Sequence, residues 1–464
     1  MMKAIFFSVV MLLSTMLWSQ GDGALTLEEL QSLQENFRLT PSEKAIKNAL
    51  ADHRIKDLAV DRMTRISQNE FFTHKIDVKG VTNQKSSGRC WLFAGLNILR
   101  PQMIKKYDLE EFEFSQSYLF FYDKLEKANL FINQIIKWCD RDPNERELTW
   151  LLNHVIGDGG QWNMVVDLVE KYGLVPQYAM PETFATSNTH DVNMLLGRKL
   201  RQTASRIFNA HNSGVAEAEF DKIRMDTMED IYRVLVLTFG TPPDTFIWQY
   251  ENKNGRISKP VKYTPKQFAN EVVKTNLGEY VYLLSDPLLD YYQTYIISLD
   301  RDMYDKPDMF VLNLPIGDLK MLAMEQILDD DPVWFGCDVG KEMLGEDGAM
   351  VLGIYDYESL FGINFSLTRE EQLLYRGSIP THAMVFVGLD IQDKNPRQWL
   401  VENSWGDEKG REGYWTMGDA WFDKYLYGVI ILQKYLTREM EQALETEPIV
   451  LPPWDPMWMM IKGY

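Results

Sequence analysis

The apolar pattern of this chain changes period near residue 330, and that change constrains the fold more than any other feature. Before it, apolar residues recur at helical spacing: Asp318 to Leu328 carries Leu319, Leu322, Ala323 and Ile327 on one face. After it come strand-like runs at Val333 to Val339, Ala383 to Leu389, Trp399 to Val401, Tyr414 to Met417 and Gly428 to Leu432. A helix-rich first part followed by a strand-rich last part is an α+β order. Further helices are expected over 25–37, 40–50, 90–100 and 115–128, with a charged helical stretch over 189–239. Two helices have explicit start signals. Thr40-Pro41 with Glu43 makes a capping box with proline at the first helical position, and Thr264-Pro265 opens a helix ahead of Phe268 and Val272. Residues 240–310 mix turn signals with short apolar runs. The tail from Pro448 to Tyr464 reads as an extended, apolar arm that should dock somewhere.

Charge narrows the partners. The 464 residues carry 48 basic and 67 acidic side chains, a net −19. A surface of that sign repels phosphate backbones and anionic membranes, so neither nucleic acid nor a membrane surface is an expected partner. At the N-terminus, Lys3 precedes a 14-residue apolar run from Ile5 to Trp18, and small residues follow at Ser19, Gly21, Gly23 and Ala24. The run is short for a membrane span and has the length of a signal-peptide core, so residues 1–20 are expected to direct export to the periplasm or beyond; a retained anchor is the other reading. Losing Lys3 from the basic residues leaves a mature charge of −20. Three cysteines cannot all pair within the chain, and an unpaired thiol in an exported protein points to reactivity.

The chemistry concentrates in three segments. In Asn83-Gln84-Lys85-Ser86-Ser87-Gly88-Arg89-Cys90-Trp91-Leu92-Phe93-Ala94, a loop delivers Cys90 to the start of a helix whose Leu92, Leu96 and Leu99 face a core. A helix N-terminus favours an anion, which is expected to lower the thiol pKa. Gln84 lies on the lead-in loop, where its amide and the Cys90 N–H could together form an oxyanion hole. In the second segment His382 opens the apolar strand Ala383-Met384-Val385-Phe386-Val387. In the third, Trp399-Leu400-Val401-Glu402 ends in Asn403-Ser404-Trp405-Gly406, where Trp405 could cover Asn403. A thiol, a ring base and an amide that orients the ring make a nucleophilic constellation. Each piece alone has a bland reading: a helical Cys is usually core, a His at a strand start structural, an Asn at a strand end a turn former. That reading is accepted for Cys139 and Cys337. No Cys or His spacing suggests a metal, and no cofactor is required.

These segments resemble those of papain-like cysteine peptidases, and more closely the bleomycin hydrolase/aminopeptidase C family. Phe114-Ser115-Gln116-Ser117-Tyr118, Asp158-Gly159-Gly160-Gln161-Trp162, Cys337-Asp338-Val339-Gly340 and Trp454-Asp455-Pro456-Met457 extend the resemblance over most of the chain. It implies a papain-like core whose 292-residue Cys90-to-His382 separation is swollen by helical and barrel-like insertions. The implied divisions are a helical half over 25–185, a mainly helical insertion over 186–315, a β-rich half over 316–447 and a C-terminal arm over 448–464 lying in the cleft. It also implies Cys90 as nucleophile, His382 as acid and base, Asn403 as orienter, and Gln84 with the Cys90 N–H as oxyanion hole. Gly159, Gly160 and Trp405 would meet a peptide substrate, and the terminal carboxylate, here on Tyr464, would mark the place of its free amine. A homohexameric aminopeptidase follows by the same resemblance, with a papain-like endopeptidase or a catalytically silent, peptide-binding scaffold as the alternative readings. Two features depart from it: the bulky end Trp458-Met459-Met460-Ile461-Lys462-Gly463-Tyr464, and the export signal.

Overall fold

The computed structural model describes residues 23–274, 276–455 and 457. The expected export signal (1–20) and Tyr464 lie outside them. The chain divides into two compact units, residues 1–59 and 60–464. In the first, helices Leu27–Asn36, Pro41–Asp52 and Ile55–Leu58 bury no residue. Thr40 caps the second as expected, accepting the Glu43 N–H at 3.2 Å while the Glu43 carboxylate accepts the Thr40 N–H.

The second unit holds the α+β body. Its helical part centres on Cys90–Asn97, where every residue after Cys90 is buried. The expected helix over 90–100 stops at Asn97, and a new one runs Arg100–Tyr107. Pro101 explains the break: it donates no N–H, and its ring would clash with the carbonyl of Asn97. Leu92, Leu96 and Leu99 still all face the core. Gln116–Lys137 is far longer than expected, because Leu130, Phe131, Ile132 and Ile135 continue the buried surface without a polar face to mark an end. His190–Asn212 and Glu217–Phe239 form the charged helical stretch, broken at Gly214 with φ +67°.

Residues 186–315 are helical as expected only to Phe239, apart from a short turn of helix that Thr264 caps. Beyond it, Phe246–Trp248 and Val261–Tyr263 pair, and Tyr280–Leu284, Gln293–Ile297 and Met309–Asn313 enter the main sheet. These strands are short and do not alternate apolar with polar, so they carry no period-2 signal.

The described residues form a 12-stranded mixed sheet. At its centre, Leu426–Leu432 and His382–Gln392 flank Val333–Cys337, and Asn395–Glu402 follows outside His382–Gln392. Ala383, Val385 and Val387 face the core around the Cys90 helix, whereas Met384, Phe386 and Leu389 face a second core with Phe335, Trp399 and helix Ile316–Leu328. Burial on both faces explains the near-continuous apolar run there. The arm docks: Ile449–Leu451 pairs in parallel with Gln293–Ile297, the Trp454 ring lies 4.2 Å from the Arg146 guanidinium, and Met457 is fully buried. No helix among the described residues is long and apolar enough to cross a membrane, and no group of three or more His, Cys, Asp or Glu among them could hold a metal ion.

Candidate active site

Cys90 is the first residue of its helix and half-buried. The backbone N–H groups of Cys90, Trp91 and Ala383 all aim at its sulfur. Ala383 follows His382, so the strand that carries the imidazole closes directly on the thiol. Burial nevertheless dominates these donors and pushes the thiol up to about 11. The lowering expected from the helix terminus is therefore overturned: three partial positive charges do not match the loss of water.

His382 is buried, and Cys337 faces it across the strand pair. Its Nε2 lies 2.8 Å from Asn403 Oδ1. The same oxygen accepts the Ser404 N–H at 2.8 Å. Only an oxygen can accept that backbone donor, so the Asn403 amide orientation is settled, and Nε2 must be the protonated ring nitrogen. The other nitrogen, Nδ1, is left with its lone pair. Burial brings the imidazole down to about 4 against the opposing hydrogen bond from Asn403. The Trp405 ring sits 4.8 Å from the imidazole and 5.5 Å from the Trp415 ring, so it lies against the imidazole that bonds Asn403.

Gln84 is bound into the same cluster. Its N–H donates to the Ser404 carbonyl at 2.8 Å, its Oε1 accepts the Ser404 hydroxyl at 2.7 Å, and its Nε2 donates to the Ser87 carbonyl at 2.6 Å. Among the described residues, one Nε2 hydrogen is thus committed and one is not. The loop approaches so closely that a Cβ on Gly406 (φ +77°) would lie 2.3 Å from the Asn83 amide nitrogen. The structure brings Cys90, His382, Asn403, Gln84 and Trp405 together.

Gly159 and Gly160 lie beside Trp91, the residue that follows Cys90. Both are buried, Lys127 donates to the Gly159 carbonyl at 2.7 Å, and a Cβ on Gly160 would lie 2.6 Å from the Trp91 ring. Packing on Trp91 therefore already requires glycine at 160. Cys139 contacts His211 Nδ1 at 3.4 Å, and all three thiols are free.

Several residues given no role from sequence hold the site. Ser404 touches both Gln84 and Asn403. Asp158 accepts the Gly88 N–H at 2.9 Å, the Lys124 ammonium at 2.8 Å and the Asn193 amide at 2.6 Å, along with the Thr189 hydroxyl. Burial pushes the Asp158 carboxyl up, but Lys124 and these donors outweigh it and hold it below the usual range. Its carbonyl also accepts the Trp91 indole N–H at 2.8 Å. Arg89 is fully buried and grips Glu182 through both guanidinium ends at 2.9 and 2.8 Å. Glu402, next to Asn403, accepts from Arg100 at 2.7 Å and from Asn97, at the end of the Cys90 helix, at 2.8 Å. No periodicity announces such contacts, since their partners lie up to 320 residues apart in sequence; the only signal was that Asp158 and Ser404 adjoin the motif residues.

The family model of the Peptidase C1-like family matches residues 24–458. Among curated proteins, bleomycin hydrolase of Rattus norvegicus is 37% identical over 449 residues, covering 94% of this chain and 99% of the relative. Aminopeptidase C of Listeria monocytogenes serovar 1/2a is 36% identical over 435 residues, covering 93% and 98%. Aminopeptidase G of Lactobacillus delbrueckii subsp. lactis is 36% identical over 433 residues, again covering 93% and 98%. The solved structure of PepW from Lactobacillus rhamnosis superposes with a TM-score of 0.91 at 34% identity, covering 94% of this chain and 99% of that one. The resemblance stated from sequence holds, and so does the papain-like fold: the chain belongs to the Peptidase C1-like family of papain-like cysteine peptidases, a family of hydrolases.

Proposed function

We propose that this chain hydrolyses peptide bonds with Cys90, His382 and Asn403, and that it removes residues from peptide N-termini. The observation that carries the reading is the Asn403 oxygen, which takes the Ser404 N–H and the His382 Nε2–H together and leaves Nδ1 as the only ring nitrogen free to accept a proton. In the first step the Cys90 sulfur attacks the peptide carbonyl carbon while its proton passes to Nδ1. The carbonyl electron pair moves onto oxygen, which the free Gln84 Nε2 hydrogen and the Cys90 N–H stabilise. The tetrahedral species collapses, the C–N bond breaks, and His382 returns the proton to the leaving amine. Water then attacks the thioester with His382 as base, releasing the acid and the thiol.

Burial opposes ionisation of either group by itself. Moving one proton from sulfur to nitrogen creates both charges at once and in close company, so their attraction offsets much of the desolvation. Relatives named aminopeptidase C and aminopeptidase G support exopeptidase selectivity. Under this reading Gly159 and Gly160 receive the substrate backbone, Trp405 walls the cleft, and the carboxylate of Tyr464 pairs with the substrate ammonium. Export through residues 1–20 and a hexameric assembly belong to the same proposal. Sequencing the mature N-terminus and light scattering check them.

The test compares one fluorogenic peptide with its N-acetylated form. Cleavage of the free peptide alone supports the proposal. Equal cleavage makes the enzyme an endopeptidase, and no cleavage of either, with Cys90 reduced, removes the hydrolytic reading.

A further inference from the structure

We propose that Asp302, which takes no part in the bond-breaking steps, is a positioning residue. As a neutral carboxylic acid beside the Asp123–Lys127 pair, it keeps Lys127 on the Gly157 and Gly159 carbonyls, next to where a substrate backbone docks. The inference rests on the peptidase reading above, in which Gly159 and Gly160 receive the substrate.

Asp302 lies on the loop between strands Gln293–Ile297 and Met309–Asn313. Its side chain is fully buried, and among the described residues neither of its oxygens has a hydrogen-bond partner. A carboxylate in that condition bears the full cost of lost water, whereas a neutral acid does not. Most charges that face it are already matched. On helix Gln116–Lys137, Glu126 pairs with Lys171 at 2.7 Å and accepts the Tyr172 hydroxyl. On helix Trp162–Tyr172, Asp167 pairs with Lys306 at 3.0 Å. Asp123 is also fully buried, and the Lys127 ammonium lies 2.7 Å from its Oδ1 and 3.0 Å from its Oδ2. One ammonium thus stands against two buried carboxyl groups. Asp123 makes the contacts with it, so the remaining proton belongs to Asp302. Burial raises the Asp302 carboxyl well above the usual range, and Asp123 adds to the rise while Lys127 opposes it.

Lys127 is the link to the substrate. Its ammonium donates to the Gly159 carbonyl at 2.7 Å and to the Gly157 carbonyl at 3.4 Å. It also lies 5.4 Å from the centre of the Trp91 ring, on which Gly160 packs. With Asp302 neutral, Asp123 and Lys127 balance, and the ammonium directs its other hydrogens to the glycine carbonyls. Once Asp302 ionises, a second anion without donors competes for Lys127 and draws it from Gly159. Substrate affinity should then fall as pH rises, with Cys90 and His382 untouched.

Infrared spectroscopy and steady-state kinetics test this together. The difference spectrum of wild type against Asp302→Asn at neutral pH should contain the carbonyl stretch of a protonated carboxylic acid. For one fluorogenic peptide with a free amine, wild-type KM should rise by about tenfold from neutral to alkaline pH, the size of one charge-assisted hydrogen bond. Asp302→Asn, neutral at every pH, should match wild-type KM at neutral pH and lack that rise. In Asp123→Asn, Asp302 should ionise to take over Lys127, so the acid band should vanish and KM rise by about tenfold at neutral pH. Absence of the acid band in wild type overturns the inference. So does parallel pH dependence of KM in wild type and Asp302→Asn, an unchanged KM in Asp123→Asn, or an Asp302→Asn protein that binds substrate poorly or fails to fold at neutral pH. The infrared band reads Asp302 without turnover, so its absence is distinct from failure of the peptidase reading, which falls if wild type cleaves nothing.

Discussion

The two sides of the thiol site are built by different physics. The sulfur side rests on buried charge: Asp158 with Lys124 holds the loop before Cys90, and Arg89 with Glu182 fixes the residue beside it. The imidazole side rests on neutral hydrogen bonds and rings: Asn403 and Ser404 orient His382, and Trp405 lies against it. A loop has no ladder of its own, so its backbone needs charged anchors. A strand edge is already positioned by its neighbours, so a carboxamide and a ring suffice. The sulfur side should therefore break by unfolding locally, and the imidazole side by losing rate while staying folded.

The largest expected effect is loss of chemistry itself. Cys90→Ala should lower kcat by about 10⁴-fold or more at unchanged Tm, as removal of a nucleophile does elsewhere; a rate assay with thermal melting checks it. Gln84→Ala should cost about 10²-fold in kcat with little change in KM, the size of one oxyanion donor. Asp158→Asn probes the charged side. It strands the buried Lys124 ammonium, so stability should fall by about 3 kcal/mol or more, seen as a lower denaturation midpoint. The matching change on the neutral side, Ser404→Ala, removes the hydroxyl from Gln84 but keeps the N–H on Asn403. It should lower kcat by about tenfold, one neutral hydrogen bond, and leave the melting curve nearly in place. If Ser404→Ala unfolds the protein and Asp158→Asn does not, the contrast between the two sides is wrong.

The mildest probe is pH. The competent state holds one proton between sulfur and ring. Below about 4 the lowered imidazole gains a second proton, and above about 11 the raised thiol loses the last one, so kcat/KM should form a broad bell between those limits. His382 also bears on folding. In the unfolded chain it takes up a proton below its ordinary value near 6.5, whereas the folded chain resists until about 4, so stability should fall as pH drops through that window. Melting curves of His382→Gln should lose that part of the slope.

Much of this was legible in residues 83–94, 380–388 and 399–406, because helix starts, strand starts and strand ends are local events with local signals. The capping box at Thr40 and the helix start at Thr264 are legible for the same reason, while the capping box that Thr264 makes with Gln267 is a finding of the structure. The strands between Tyr280 and Asn313 are not legible, since their burial is decided by the sheet they join. The thiol shifts opposite to the expectation from its helix terminus, because a helix terminus is visible in sequence and depth of burial is not.

The order of residues alone thus established the α+β class, the elements that carry thiol, imidazole and carboxamide, and the family they belong to. Tertiary structure alone decided which nitrogen of His382 stays bare, that burial outweighs three N–H donors at Cys90, and that Ser404 and Asp158 hold the cluster. Those outcomes depend on distances between groups up to several hundred residues apart and on the water each one loses, and neither quantity exists until the chain is folded.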